Sequence, residues 1–139
     1  MSEPRPKVLD YSIELDRRYR ASADGGDPQQ LPRDFAPEHL VLVGLARCTL
    51  TSLAYHAERA GVAVATSSAA ASGRVTKRAA DGRYAFVELE CRLEVKLEPP
   101  PDAETQRALL AKAERDCFVG ASFVAPTRYV WRVNGLEAG

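Results

Sequence analysis

Pro37-Glu38-His39-Leu40-Val41-Leu42-Val43-Gly44-Leu45-Ala46-Arg47-Cys48-Thr49 is the stretch on which the fold turns. It opens a segment, 37–60, that reads as one long helix. Pro37 suits the first helical turn, where its missing N–H costs nothing. Glu38 complements the positive end of the helix dipole, and Gly61 suits the C-terminal cap. From Leu40 to Ala46 the helix is apolar all round, which calls for burial on every side. Its second half, from Tyr55 to Arg59, is more polar and should emerge towards water. A chain of 139 residues has little else with which to cover such a helix. A second copy can supply the cover, so an intimate homodimer is expected.

Working outward, two short strands are expected near the N-terminus, over 7–15 and 17–23. Asp24-Gly25-Gly26-Asp27-Pro28 and Leu31-Pro32 mark a loop over 23–33. After the helix, 62–79 and 84–98 read as a β-hairpin turned at Asp81-Gly82. In its second strand Val87, Leu89, Cys91, Leu93, Val95 and Leu97 share one face, and Glu88, Glu90, Arg92, Glu94 and Lys96 the other. A sheet with one wet face and one core face has this alternation. Pro99-Pro100-Pro101 ends the strand. Asp102 then caps a second helix running to about Asp116, with Leu109, Leu110 and Ala113 inward. Cys117 falls at its end, a helical turn to Ala125 follows, and 127–133 forms a last strand with Tyr129, Trp131 and Val133 on one face. The order predicts an α+β fold, an antiparallel sheet packed around a long buried helix, in a single domain over 1–139.

Lys and Arg number 19 and Asp and Glu 19, so the formal charge is zero. That balance gives no reason to expect nucleic acid or an anionic membrane as partner. The opening Met-Ser-Glu-Pro-Arg-Pro-Lys leads into no apolar stretch, and the longest unbroken apolar run is Leu40 to Ala46. The expectation is a cytoplasmic protein without a membrane span. The three cysteines lie 43 and 26 residues apart, spacings that match no zinc site. No metal and no cofactor are expected, and His39 and His56 read as surface or helix-flank residues. Judged by position alone, Cys91 is a core residue of an alternating strand. Cys48, mid-helix, and Cys117, at a helix end, are each open to a structural or a reactive reading. Arg47 decides nothing, because adjacent helix residues face different ways. Thr49 and Ser52 read as packing residues.

Two of these segments resemble the osmotically-inducible-protein-C and organic-hydroperoxide-resistance (OsmC/Ohr) superfamily. The first is Pro37-Glu38-His39-Leu40 leading through Gly44-Leu45-Ala46-Arg47 to Cys48, with ten residues from Glu38 to Cys48 and Ala57-Glu58-Arg59-Ala60-Gly61 at the helix end. The second is Lys112-Ala113-Glu114-Arg115-Asp116-Cys117-Phe118-Val119, 69 residues after Cys48 counted between the cysteines. The resemblance covers 37–133. It departs at Phe118, where many members carry proline, and in the N-terminal 33 residues, which match poorly.

The resemblance implies an intertwined homodimer and a cysteine-based peroxidase acting on organic hydroperoxides. A thiolate attacks the peroxide, and a free thiol, with a pKa of about 8.5, needs nearby positive charge to ionise at neutral pH. In the superfamily an Arg held by a Glu supplies it. The resemblance assigns Glu38 to the holder and Arg33 to the cation, with Arg17, Arg18 and Arg20 behind it. It assigns Cys48 to the attacking thiolate and Cys117 to the thiol that closes a disulfide, which a dithiol reductant reopens. On one straight helix ten residues span roughly 15 Å. Glu38 can therefore serve a Cys48 site only from the other subunit, across two antiparallel helices. Two other functions share these features: a redox-sensing or small-ligand-binding protein on the same fold, and a structural cysteine pair with no redox role.

Overall fold

The computed structural model describes residues 5–138. They fall into two compact units that meet between Ala36 and Pro37. The N-terminal unit is a small antiparallel sheet of β1 (Ile13–Leu15), β2 (Arg20–Ala23) and β3 (Gln29–Gln30). Its first turn is fixed by Asp16, whose carboxylate accepts the backbone N–H groups of Arg18 and Arg20. The strands are shorter than expected because Asp16 and Asp24 draw the backbone into turns. Gln29 and Gln30, expected in a loop, pair with β2.

The second unit holds the core. Helix α1 runs Pro37–Arg59 and is followed by the long hairpin of β4 (Ala63–Lys77) and β5 (Tyr84–Glu98). Helix α2 (Ala103–Arg115) and the single turn α3 (Phe118–Ala121) lead into β6 (Thr127–Val133) and β7 (Leu136–Ala138). Asp102 caps α2, accepting the Thr105 N–H at 2.7 Å. The sheet order is β4-β5-β6-β7. It is antiparallel except at β5–β6, which pair parallel because the α2–α3 connection carries the chain back across the sheet. Asn134 and Gly135, both at positive φ, turn the chain from β6 into β7, a strand with no expectation in the sequence.

One face of β5 carries Leu89, Cys91, Leu93, Val95 and Leu97, all buried. The alternation fails at its start. A bulge opposite Arg74 and Val75 shifts the register, so that Phe86, not Val87, packs on the core. Trp131 and Val133 of the neighbouring β6 extend this face, and the inner side of α2 and a stripe of α1 join them in the core. That stripe is Leu45, Thr49, Ser52, Leu53 and Ala57, spaced three and four apart as one helical face requires. By length and composition α1 could cross a membrane; here one face of it packs on the core. Its other side is left for a second copy to cover, as expected of so short a chain. Leu40, Val41 and Val43 are 39%, 39% and 51% exposed within the single chain.

Candidate active site

Three elements converge on one sulfur. Cys117 follows α2 and is the N-cap of α3, its Sγ accepting the Gly120 N–H at 3.4 Å. From α1, Thr49 Oγ1 stands 3.4 Å from the same Sγ. Thr49 is itself fixed by donating to the Leu45 carbonyl at 2.9 Å, the back-bonding available to a helical threonine. From β6, the Tyr129 hydroxyl lies close enough to Cys117 and Thr49 for both to bear on its ionisation. Cys117 is fully buried. Cys48, one residue before Thr49, is half-buried at the edge of this cluster, and all three cysteines are free thiols.

Cys48 and Cys117 are neighbours. Burial is the main influence on the Cys48 thiol and pushes it up from the ordinary cysteine range. The backbone N–H groups of Val119 and Phe118 oppose that rise, and the Cys117 thiol adds to it. The residues just after Cys117 thus turn their amides towards Cys48, where a developing thiolate gains hydrogen bonds. Cys91 lies in the core as expected, but not apart from the pair. Thr49 reaches it and the charge state of Cys117 is felt there, while burial drives its thiol up to about 11. Strand alternation fixed only the face of Cys91. The parallel register that sets it beside Tyr129 comes from the crossover. Tyr129 is pushed up to about 12, first by burial and then by Cys117, with Thr49 acting the other way.

The profile of the OsmC-like protein family matches residues 26–131. The chain belongs to that family. Among solved structures, an OsmC-like protein of unknown function from Vibrio cholerae superposes with a TM-score of 0.72 at 15% identity, over 90% of this chain and 100% of that one. An OsmC-like protein from Mycoplasma pneumoniae gives 0.68 at 16%, over 93% and 99%. An organic hydroperoxide resistance protein from Elizabethkingia anophelis gives 0.63 at 17%, over 95% and 100%. At such identities the likeness speaks for the fold. No curated protein matches the chain.

The remaining residues named from the OsmC-like resemblance are spread along the chain. Glu38 stands exposed in the first turn of α1, ten residues before Cys48 on the same helix. Arg33 is exposed in the N-terminal unit. Arg17 and Arg18 share its unit, and Arg20 there is engaged by Asp16 at 2.8 Å. His56, read as a surface or helix-flank residue, is 13% exposed at its side chain and binds Asp116 Oδ2 at 2.8 Å. That contact ties the end of α1 to the residue before Cys117. Arg115 holds the same carboxylate and, more than His56, keeps it below its ordinary range. Among the described residues no group of three or more His, Cys, Asp or Glu side chains could hold a metal ion. Sequence reasoning missed Thr49 and Tyr129. Thr49 lies next to Cys48 and so faces another way, and only the fold brings that other side to Cys117. Tyr129 had one signal, its place on the inward face of β6 with Trp131 and Val133.

Proposed function

We propose that this OsmC-like protein is a thiol-dependent organic hydroperoxide reductase, with Cys48 as peroxidatic and Cys117 as resolving cysteine. The observation that carries the reading is the proximity of two free thiols of unlike accessibility, Cys48 half-buried and Cys117 fully buried. The Cys48 thiolate attacks the distal peroxide oxygen, the O–O bond breaks, and the alkoxide leaves as the alcohol after taking a proton. The resulting sulfenic acid is attacked by Cys117, the S–O bond breaks, and water leaves as the disulfide forms. A dithiol then reduces the disulfide by two exchanges. No cofactor enters these steps, and the cycle suits a reducing, cytoplasmic compartment.

Burial disfavours the Cys48 thiolate, so the first step calls for a cation beyond the two amides. In this reading Arg33 supplies it, with Arg17 and Arg18 as the next choices, and Glu38 of the second subunit orients it. Two α1 helices packed antiparallel along Leu40, Val41 and Val43 bring one protomer's Glu38 to the other's Cys48. The profile match runs across the boundary between the two units, which supports one OsmC-like domain over 1–139. Organic hydroperoxides are favoured over hydrogen peroxide by the apolar side chains around the pair. The unfavourable setting of the Cys48 thiolate within one chain also suits a second reading, a redox-sensing or small-ligand-binding protein without turnover.

The test is consumption of cumene hydroperoxide with dithiothreitol. Cys48→Ser abolishes it. Without dithiothreitol, Cys117→Ser consumes one equivalent of peroxide and leaves a sulfenic acid at Cys48 that dimedone labels; with it, Cys91→Ser retains turnover. No consumption by the wild type, or equal labelling of the Cys48 and Cys117 variants, refutes the assignment and favours the second reading.

A further inference from the structure

The hydroxyl of Tyr129 has no part in the scheme above, yet it reaches the Cys117 cluster from the sheet side. A Cβ built on Gly120 would lie 2.6 Å from Tyr129 Oη and 3.4 Å from Cys117 Sγ. Any side chain at 120 would make the phenol shift from this place. Thr127 Oγ1, buried and without a hydrogen-bond partner of its own, bears on the same phenol.

Hydrogen accounting assigns the roles. A hydroxyl has one hydrogen, and that of Thr49 is given to the Leu45 carbonyl. At the contact between Thr49 and Cys117 the thiol is therefore the donor. Thr49 takes the thiol hydrogen to one side and the Gly120 N–H donates from another, with Cys48 and the Tyr129 phenol as the further neighbours.

We propose that the Tyr129 hydroxyl is a positioning residue for Cys117, holding its sulfur towards Cys48 and donating to it as the thiol gives up its proton to become the attacking thiolate. This deepens the peroxidase reading and rests on it for biological meaning. In the resolving step the Cys117 sulfur bonds to the Cys48 sulfur, the Cys48 S–O bond breaks, and the hydroxyl leaves with the Cys117 thiol hydrogen as water. The phenol gives up no atom. It raises the share of Cys117 in the attacking thiolate form by offering that sulfur its O–H.

The test needs no peroxide. Dithionitrobenzoate reacts with Cys48 and releases one thionitrobenzoate. Cys117 then displaces the second from the mixed disulfide, so two absorbance phases report capture and closure separately. In Tyr129→Phe the ratio of the second rate to the first falls about tenfold, the loss of roughly one hydrogen bond. Gly120→Ala, which drives a methyl group against the phenol, lowers the same ratio while keeping the tyrosine. An unchanged ratio in Tyr129→Phe overturns the proposal. So does a proportional fall of both phases with a lowered melting midpoint, which marks a purely structural role. If Tyr129→Phe does not fold, Gly120→Ala decides by the same ratio. A wild type that consumes no hydroperoxide but shows the split refutes the peroxidase reading and leaves the role of Tyr129 standing. Turnover without the split does the reverse.

Discussion

Val43→Asp tests the assembly. Val43 is 51% exposed in the single chain, beside Leu40 and Val41 at 39% each. If the chain were a monomer in solution, an acid at so exposed a helix position would change stability by no more than about 0.5 kcal/mol. If two α1 helices pack along this side, the outcome is different. Full burial of a valine side chain is worth about 1.5–3 kcal/mol, so completing the burial of one already half covered is worth about 1 kcal/mol. An isologous contact repeats each residue, which doubles that to about 2 kcal/mol per dimer. Two carboxylates must also be desolvated near each other, at an effective cost of several kcal/mol per ion. The total, at least about 6 kcal/mol, weakens the dimer by more than about 10⁴-fold. Sedimentation velocity at micromolar concentration is the assay. The wild type should sediment as a dimer and Val43→Asp as a monomer near the 15.2 kDa chain mass. Val43→Ala, which removes apolar area without adding charge, should fall between them. A wild-type monomer, or a Val43→Asp protein with the wild type's sedimentation coefficient and melting temperature, would falsify the antiparallel-helix dimer and the shared Glu38 with it.

Two further outcomes follow from the core. Leu53→Ala, at a fully buried position of α1, should lower unfolding stability by about 2–5 kcal/mol, read by urea titration; a loss below about 0.5 kcal/mol would contradict the packing. The Cys91 thiol, pushed up to about 11 by burial, should resist iodoacetamide at neutral pH in the folded protein. Because its folded pKa is raised, its contribution to stability is full below the unfolded value of about 8.5 and is lost as pH rises towards about 11. Cys91→Ala should flatten the alkaline part of the stability curve, and an identical slope in both proteins would contradict the assignment.

Periodicity and punctuation were enough for the elements. Helix α1 was legible from proline, glutamate and glycine at its ends, α2 from its aspartate cap, and β5 from strict alternation. These signals are local, carried by residues within a few positions of one another, and the sequence displays them directly. The bulge at Val87 was not legible, since it depends on how β4 lies against β5 and not on either strand alone. Cys48 and Cys117 were visible as a pair only through resemblance to the OsmC/Ohr superfamily, because nothing local joins residues 69 apart. The tertiary structure decided the company they keep. A parallel crossover set β6 beside β5 and brought Tyr129 to Cys91. The seating of α1 on the core then turned Thr49 onto Cys117, making a three-thiol cluster from residues that the sequence keeps on a helix, a strand and a cap. The sequence by itself determined which backbone each segment adopts, since propensity, capping and alternation act over a turn or a strand. Which side chains meet depends on how whole elements pack, and that is a property of the assembled core.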